Sequence, residues 1–380
     1  MGTKILTGNN MEKLREIESE SIDCVVSSPP YFGLRDYGTG TWEGGDPNCP
    51  HKRLTKISKD TATGHAGMYE QGHVVGDAIY KQICPECGAK RVDDQFGLEE
   101  TLEEYIEKTV LLFEELRRVL KPQGTVWWNL GDSYANKSSA WGGRGKNSIL
   151  NKTGLEDKQR RNSVVPDGLK AKDLMMIPAR VAIALSENGW YLRSEIIWHK
   201  PNPMPESVKD RPTSAHEKIY LFAKNKKYYY DADAIRVPQK TESIKRAGRD
   251  YWDTNKVETG NYAIPNIESA KKLNQKVLDT VAEGKIPMAN KRNVWTVTTK
   301  PFKGAHFAVF PPDLIEPCIK AGCPEGGTVL DPFGGSGTTG LVANNLGRDA
   351  ILIELNEEYV EIAKKRLGGD NPLFSEVEDG

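Results

Sequence analysis

The sequence lacks several features that would place it in other classes of protein. No apolar run in its 380 residues approaches the roughly 20 residues that a membrane-spanning helix needs. The initial segment MGTKILTGNN lacks the apolar core of a secretory signal. The six cysteines are too few for a disulfide scaffold in a chain of this size. We therefore expect a cytoplasmic protein with no membrane partner, whose thiols are free or bound to metal.

The net charge of −1 does not indicate a nucleic-acid-binding protein, but the charges are unevenly distributed. Residues 209–300 contain 19 Lys and Arg against 11 Asp and Glu, an excess of +8. Residues 137–172 contain 9 against 3, an excess of +6. Within the first region, residues 226–292 interleave basic side chains with aromatic ones such as Tyr228–Tyr230 and Trp252, a mixture that suits phosphate contact and base stacking. A solvated surface excursion is the simpler interpretation of the same region.

The stretch IDCVVSSPPYFG predicts a buried strand that ends abruptly. Residues 22–26 fit a buried parallel strand, and Pro29 and Pro30 cannot continue a hydrogen-bonded ladder. Ser28 and Tyr31 would then lie at the carboxyl end of this strand, which is the edge where open α/β sheets bind ligands. An ordinary turn after a strand is the alternative.

The order of apolar segments predicts an α/β fold. A short strand at residues 4–6 is followed by a turn, a short helix and the strand just described, which is the order expected of a parallel sheet. Residues 101–120 carry one apolar stripe at helical spacing, and Thr101 with Glu104 forms a capping box. The segments YLRSEIIWHK and SAHEKIYLFAKN predict an antiparallel pair at the sheet edge.

A glycine-rich turn near the carboxyl terminus has a nucleotide-binding pattern. Gly335, Gly337 and Gly340 fit GxGxxG between a strand and a helix, and Glu354 follows about 20 residues further on, where a ribose-hydroxyl acceptor belongs. This combination predicts an adenosine-containing cofactor. NAD would need the helix amino terminus for its pyrophosphate. S-adenosylmethionine would instead need an acid for its ammonium group, and Asp331 supplies one.

A long insertion with little periodicity, residues 36–96, contains residues that can bind a metal. The motif CPECG has the spacing of a zinc knuckle, in which two thiolates bind one tetrahedral ion and the glycine permits the tight turn. The predicted structural zinc ligands are Cys49, His51, Cys84 and Cys87. His65 or His73 could take the place of His51, and free surface thiols are the other interpretation.

The pair SSPPY and DPFGGSGTTG resembles the motifs of the amino-methylating DNA methyltransferases, which methylate an exocyclic nitrogen of cytosine or adenine. That family combines a methionine-binding D-P-F-x-G-S-G-T turn with a catalytic [DNS]-P-P-[YFW] loop in one sheet. In this sequence the catalytic loop precedes the cofactor turn, an order similar to that of the permuted β group. The resemblance implies a Rossmann-like S-adenosylmethionine-dependent methyltransferase sheet, mostly parallel with one antiparallel edge hairpin, circularly permuted and with insertions.

The resemblance also implies roles for individual residues. Ser28 Oγ and the Pro29 carbonyl would accept hydrogen bonds from the target amine. Pro30 completes the motif, and Tyr31 would stack on a base flipped out of the duplex. The implied cofactor-binding residues are Asn9, Phe310, Asp331, Phe333, Gly335, Ser336, Gly337, Thr338 and Glu354. The candidate DNA contacts are Arg35, Tyr37, Arg144, Lys146, Lys226 and Lys227.

The same resemblance divides the chain into regions. The catalytic domain would comprise residues 1–35, 97–135, 173–224 and 293–367. The remaining regions would be the insertion 36–96, a mobile basic loop at 136–172, a target-recognition region at 225–292, and a solvated acidic tail at 368–380. The expected substrate is double-stranded DNA, acted on by a monomer or homodimer, with a cognate restriction endonuclease as a potential partner.

Several alternatives remain open at this point. Serine at the first loop position favours cytosine N4 over adenine N6 in this family, although its hydroxyl can serve either amine. Enzymes that methylate the cytosine ring use a Pro-Cys nucleophile, whereas Cys24 lies before the strand end. Glutamine methyltransferases of release factors have Asn first in the loop and place the loop after the cofactor turn. A nicotinamide-dependent dehydrogenase and a non-catalytic DNA-binding module are the interpretations from other classes.

Overall fold

The computed structural model describes residues 2–33, 39–51, 83–84, 86–135, 165–166, 168–247, 267–299, 310–370 and 377–379. The chain divides into two compact units. One unit comprises Met1–Tyr230 and Asn293–Gly380, and the other is Asp231–Arg292. In the part of the chain that is described, no helix is both long and apolar enough to cross a membrane.

The first unit is built from a sheet and six helices among its described residues. Its sheet strands are β1 (Thr3–Thr7), β2 (Ile22–Ser27), β5 (Leu120–Leu130), β6 (Tyr191–His199), β7 (His216–Ala223), β10 (Val294–Thr296), β11 (Thr328–Asp331), β12 (Asp349–Glu354) and β13 (Val377–Asp379). A small hairpin consists of β3 (Thr41–Glu43) and β4 (Lys90–Val92). The helices are α1 (Asn10–Glu16), α2 (Leu102–Val119), α3 (Ile177–Glu187), α6 (Pro312–Gly322), α7 (Thr338–Asn345) and α8 (Glu357–Asp370).

The nine strands of the main sheet follow the order β10-β6-β7-β5-β2-β11-β12-β1-β13. Among the described strands of this sheet, β7 alone runs against the others. The central strands β2 and β11 are buried on both faces, as expected for parallel strands covered by helices. The predicted α/β, mostly parallel sheet is therefore confirmed.

Helices cover both faces of the sheet. Helices α1, α2 and α3 pack on one face, where Leu14, Phe113 and Leu185 are fully buried in the main core. Helices α6, α7 and α8 lie on the other face, where Leu352 and Val360 belong to a second apolar cluster. Helix α2 begins with the predicted capping box, because the side chains of Thr101 and Glu104 each accept the backbone N–H of the other residue.

Three parts of the sequence-based description need correction. The β6–β7 pair is antiparallel as predicted, but β10 lies outside it, parallel to β6, and forms the edge. The acidic tail is not simply a solvated end, because α8 continues to Asp370 and β13 pairs with β1. The carboxyl end of the predicted mobile loop is attached to the core region, since Lys172 donates a backbone hydrogen bond to Ala135 O at 2.6 Å.

The second unit has its own short elements. They are a 3-10 helix (Asp233–Ile235), β8 (Val237–Pro238), α4 (Thr241–Ala247), α5 (Ile267–Ala282) and β9 (Met288–Ala289). Strands β8 and β9 pair antiparallel, with Val237 opposite Ala289. Few of its described side chains are buried, and Ile235, Val277 and Pro287 are among those that are.

Candidate active site

The two sequence motifs meet because their strands are neighbours. Strands β2 and β11 pair in parallel, with Cys24 opposite Val329 and Val25 opposite Leu330, so both carboxyl ends lie at the same edge. At this edge Ser27 Oγ donates a hydrogen bond of 2.6 Å to Asp331 Oδ1, across 304 residues of sequence. The Pro-Pro loop after β2 and the glycine-rich turn after β11 therefore form one site.

A cleft lies at this edge, with an empty volume of about 990 Å³ that includes its open mouth. Eight of the nine predicted cofactor residues line it: Asn9, Phe310, Asp331, Phe333, Gly335, Ser336, Thr338 and Glu354. Ser28 and Pro30 of the loop after β2 line the same cleft. Further lining residues that sequence reasoning missed include Gly8, Thr39, Asp94, Gln95, Phe96 and Tyr359. A cleft of this size accommodates a nucleoside-sized ligand.

Asp331 lies at the floor of the cleft and is 1% exposed. Its carboxylate accepts hydrogen bonds from Ser27 Oγ at 2.6 Å, Thr339 Oγ1 at 2.6 Å and the Phe333 backbone N–H at 3.0 Å. Burial nevertheless raises the pKa of Asp331 to about 7, because these donors offset only part of the desolvation of the charge. A cationic ligand beside this carboxylate would therefore stabilise its ionised form.

Glu354 holds the glycine-rich turn against the end of β12. Its Oε2 accepts the Gly335 N–H at 2.8 Å, and its Oε1 accepts the Asn356 N–H at 2.9 Å. Burial raises the pKa of Glu354. Gly335 has φ +51, and a Cβ added there would meet only the Phe333 carbonyl within 4 Å, at 3.9 Å. The absence of a side chain at Gly335 therefore leaves open space in the turn, beside Asp331 and Glu354. This space and the two acidic side chains fit an adenosine cofactor that carries an ammonium group.

Gly337 does not line the cleft, unlike the other residues predicted to bind the cofactor. It has φ +79, and a Cβ added there would lie 3.1 Å from Cβ of Ala363 on α8. Its role is the close packing of α7 against α8. Arg366 of α8 reaches back to the turn, donating to Thr338 Oγ1 at 2.8 Å and to Ser336 Oγ at 3.1 Å. No motif in the sequence indicated this arginine.

The side chains of the catalytic-loop motif belong to a hydrogen-bonded network. Tyr31 Oη donates to Glu217 Oε2 at 2.8 Å and lies 3.2 Å from Ser28 Oγ. Asn129 Nδ2, at the end of β5, lies 2.7 Å from Tyr31 Oη, 3.0 Å from Glu217 Oε2 and 3.2 Å from Ser28 Oγ, and these three acceptors share its two N–H groups. Lys200 Nζ forms an ion pair with Glu217 Oε1. Burial, followed by the Glu217 carboxylate, raises the pKa of Tyr31, so its hydroxyl keeps the proton it donates.

Two of these network residues come from the antiparallel pair. Because β7 is reversed, its first residues lie at the same edge as the last residues of β5 and β6. This brings Glu217 to Tyr31 and Asn129, with Lys200 paired to Glu217. Sequence reasoning treated β6 and β7 as scaffold and missed both. The polar residues at the end of β5 were a usable signal for Asn129, since they follow a strongly apolar run.

The orientation of Asn129 leaves one atom without a partner. Glu217 accepts hydrogen bonds only, so the amide nitrogen of Asn129 must face it. Asn129 Oδ1 is then buried with no hydrogen-bond partner among the described residues. A buried, unpaired acceptor costs free energy, so the network keeps this amide orientation at some expense to stability.

The Tyr31 ring lies against Gly131 in this structure. It is half-buried and packs so closely on Gly131 that a Cβ added there would lie 2.6 Å from Tyr31 Cε2. Stacking of Tyr31 on a flipped base stays a prediction. Pro29 is buried behind Ser28.

The four predicted metal ligands lie together, with all four donor atoms within 4.8 Å of one another. Cys84 precedes β4 and is buried, and the other three side chains are half-buried. The alternatives His65 and His73 lie outside the described residues.

Of the six predicted DNA contacts, the structure describes Lys226 and Lys227. Arg35, Tyr37, Arg144 and Lys146 lie outside the described residues. Lys226 and Lys227 are exposed, but they follow the end of β7, beside Gln123 at the start of β5. This is the edge opposite Ser28, because Ala223 pairs with Thr125 while Lys218 pairs with Leu130. Contact of these two lysines with DNA away from Ser28 stays a prediction.

Comparisons with known proteins agree with this geometry. Residues 22–365 match the family model described as DNA methylase, N6_N4_Mtase. The type II methyltransferase M.SmaI of Serratia marcescens is 36% identical over 369 residues, covering 96% of this chain and 90% of that protein. M.XycI of Xanthomonas campestris pv. cyanopsidis is 37% identical over 373 residues, covering 97% of this chain and 89% of that protein.

Solved structures share the fold at lower identity. The PvuII DNA methyltransferase, described as cytosine-N4-specific, has a TM-score of 0.53 at 18% identity and covers 96% of this chain and 86% of its own. A DNA modification methylase of Thermus thermophilus, solved in complex with S-adenosyl-L-methionine, has a TM-score of 0.50 at 18% identity, covering 99% and 100%.

Proposed function

Because this chain belongs to the N6/N4 DNA methylase family, we propose that it methylates the N4 amine of a cytosine flipped out of double-stranded DNA, with S-adenosylmethionine as the methyl donor. The main support for the proposal is that the Pro-Pro loop and the glycine-rich turn lie at the same edge of the sheet, where Ser28 and Asp331 line one cleft. Sequence recognition would reside in residues 225–292, where basic and aromatic side chains alternate.

The residues of the glycine-rich turn would hold the cofactor. Asp331 would pair with its ammonium group, Glu354 would accept a ribose hydroxyl, and Phe310 and Phe333 would form apolar walls. The carboxylates of Asp331 and Glu354 line the cleft and would repel the negative charge of a pyrophosphate, which argues against NAD. When bound, S-adenosylmethionine supplies an activated methyl group on its sulfonium.

The network after β2 would hold the target amine. Tyr31 Oη gives its own proton to Glu217 and can accept the Ser28 hydroxyl proton, which leaves a Ser28 Oγ lone pair for the amine. The Pro29 carbonyl would be the second acceptor, as the resemblance implies. With both N–H bonds engaged, the amine lone pair is drawn out of conjugation with the ring. Catalysis then depends on positioning and on fixed charges, without a covalent enzyme intermediate.

Two observations support cytosine over adenine as the base. Ser28 occupies the first position of the loop, where the resemblance associates serine with cytosine N4. The PvuII enzyme, whose description names cytosine N4, shares the fold. Adenine N6 is the second candidate, since the same acceptors suit its amine. The type II relatives support a role beside a restriction endonuclease.

The proposal is tested by methyl transfer from labelled S-adenosylmethionine to mixed-sequence duplex DNA. We expect incorporation with the wild-type protein and a loss of at least about 100-fold in Ser28→Ala, with DNA binding retained. Ser21→Ala is the matched control, because the Ser21 hydroxyl bonds to Glu18 O outside the site. Calorimetry should show binding of S-adenosylhomocysteine and no binding of NAD. Full activity of Ser28→Ala, or NAD binding instead, would refute the assignment.

A further inference from the structure

The cluster of Cys49, His51, Cys84 and Cys87 has the dimensions of a tetrahedral zinc site. With Zn–S bonds of about 2.3 Å, two sulfurs on one tetrahedral ion lie about 3.8 Å apart. The Sγ atoms of Cys49 and Cys84 are 3.7 Å apart. A sulfur and an imidazole nitrogen on the same ion lie about 3.6 Å apart, and His51 Nε2 is 3.3 Å from Cys87 Sγ.

The four side chains of the cluster favour a zinc ion, and the distance between Cys49 and Cys84 excludes a disulfide bond. The separation of Cys49 and Cys84 is far above the S–S bond length of about 2.05 Å, and both cysteines are free. Three thiolates and one imidazole favour zinc over magnesium or calcium, which prefer oxygen ligands.

The backbone around the cluster is shaped for close approach of the ligands. Gly88 has φ +74, and its N–H donates to Cys84 O at 2.9 Å, which closes the tight turn between the two cysteines of CPECG. Gly45 has φ +72, and a Cβ added there would lie 2.8 Å from Cys87 Sγ. The ring of His51 stacks on Trp42 of β3 with centroids 4.6 Å apart, which fixes the orientation of the imidazole.

The cluster joins two chain segments that both continue into the cofactor cleft. Cys49 and Cys84 are 35 residues apart, and β3 and β4 pair beside them. Arg91 of β4 forms an ion pair with Asp93, and Asp93 Oδ1 accepts a hydrogen bond of 3.0 Å from Thr39 Oγ1. Thr39 lines the cleft, as do the residues that follow Asp93, namely Asp94, Gln95 and Phe96.

The same segment also supports the catalytic loop. Phe96 packs edge-on against Phe333 of the glycine-rich turn, with centroids 5.2 Å apart. Gly97 O accepts the Gly33 N–H at 2.8 Å, and a Cβ added at Gly97 would lie 2.9 Å from Tyr31 O. A displacement of residues 94–97 would therefore disturb both halves of the site.

We infer that these four residues bind one structural zinc ion, and that the ion fixes the wall of the cofactor cleft formed by Thr39 and residues 94–96. The second half of this inference rests on the proposed function, since it assigns the cleft to S-adenosylmethionine. Loss of the ion would remove the link at the four ligands. The short β3–β4 pair and contacts such as the Thr39–Asp93 hydrogen bond would then hold the cleft wall without it.

The first test is the metal content of the full chain, purified from zinc-supplemented medium. We expect one zinc per chain in the wild type and in Cys318→Ala, which removes a buried cysteine of α6 far from the cluster. Cys84→Ser and His51→Ala should lose the metal. His51→Cys should retain it, because a fourth thiolate is also a zinc ligand, so this variant separates loss of metal from misfolding. A wild type without stoichiometric zinc overturns the site.

The second test is the affinity for S-adenosylhomocysteine before and after removal of zinc with a chelator. We expect removal to weaken binding about tenfold or more, as a displaced binding wall does, and re-addition of zinc to restore it. His51→Cys should bind as the wild type does. Unchanged affinity in the zinc-free protein overturns the coupling to the cleft. A zinc-loaded wild type that binds no S-adenosylhomocysteine would instead refute the proposed function while leaving the metal site established.

Discussion

Ser27 Oγ donates a 2.6 Å hydrogen bond to Asp331 Oδ1, and this contact joins the two strand ends that form the site. Burial raises the pKa of the Asp331 carboxyl, and the Ser27 hydroxyl is the largest of the influences that oppose this rise. The balance leaves the pKa of Asp331 at about 7, against an ordinary value of 3.8. If Asp331 holds the cofactor as proposed, cofactor binding and protonation at this residue are linked.

Affinity for S-adenosylhomocysteine should rise with pH up to about 7. Because the pKa of Asp331 is raised, the folded protein binds this proton more tightly than the unfolded chain does. Protonated Asp331 therefore stabilises the fold fully below pH 3.8, and this stabilisation is lost as the pH rises through about 7. A cationic ligand favours the ionised form and must expel the proton at lower pH. Calorimetry should show affinity falling by about tenfold per pH unit below the pKa. Asp331→Asn should abolish this slope, and an unchanged slope in that variant would contradict the assignment.

Ser27→Ala should move the same pH profile to higher pH. The Ser27 hydroxyl lowers the pKa of Asp331, so its removal leaves the buried carboxyl harder to ionise. At fixed neutral pH the affinity for S-adenosylhomocysteine should fall, and it should recover as the pH is raised. A uniform loss of affinity at all pH values would show that Ser27 acts through packing alone.

Glu217→Gln should lower kcat by about 10-fold to 100-fold while the affinity for S-adenosylhomocysteine stays unchanged. The carboxylate orients Tyr31 and Asn129, whereas a glutamine can turn its own N–H groups towards them and release the amide of Asn129. Glu195→Gln is the matched control, because Glu195 also bonds to a tyrosine and a lysine, Tyr220 and Lys218, but away from Ser28. Equal kcat values in the two variants would show that Glu217 is not a positioning residue.

Gly337→Ala should reduce the free energy of unfolding by more than Gly347→Ala. Both glycines have positive φ, +79 and +74, so both substitutions carry a backbone cost of about 1 kcal/mol. Only Gly337 also meets the Cβ of Ala363 at 3.1 Å, and that residue is buried on α8 and cannot move alone. We expect an additional loss of about 1 kcal/mol, measured by chemical denaturation. Equal losses would show that α8 can shift without cost.

The sequence predicts the parts of the site that depend on local pattern. The end of β2 at Pro29 and Pro30, the capping box of α2, and the strand, turn and helix around Gly335 each depend on neighbouring residues only. Their meeting was inferred from the resemblance of two distant motifs, and the pairing of β2 with β11 confirms that both loops share one edge.

The missed residues depend on strand order and direction, which no local pattern contains. Glu217 reaches Tyr31 only because β7 runs against its neighbours, and the same reversal carries Lys226 and Lys227 to the opposite edge. Arg366 reaches Ser336 only because Gly337 allows α8 to approach. A basic run in the sequence indicates charge, but it does not indicate the edge of the sheet on which the charge will lie.

The most direct test of the account identifies the methylated base. Duplex DNA of mixed sequence is incubated with the protein and S-adenosylmethionine, digested to nucleosides and analysed by mass. We predict N4-methylcytosine with the wild-type protein and none with Ser28→Ala. N6-methyladenine in its place would overturn the choice of base, and DNA without any methylated nucleoside would contradict the central claim that Ser28 and Asp331 form a methyl-transfer site.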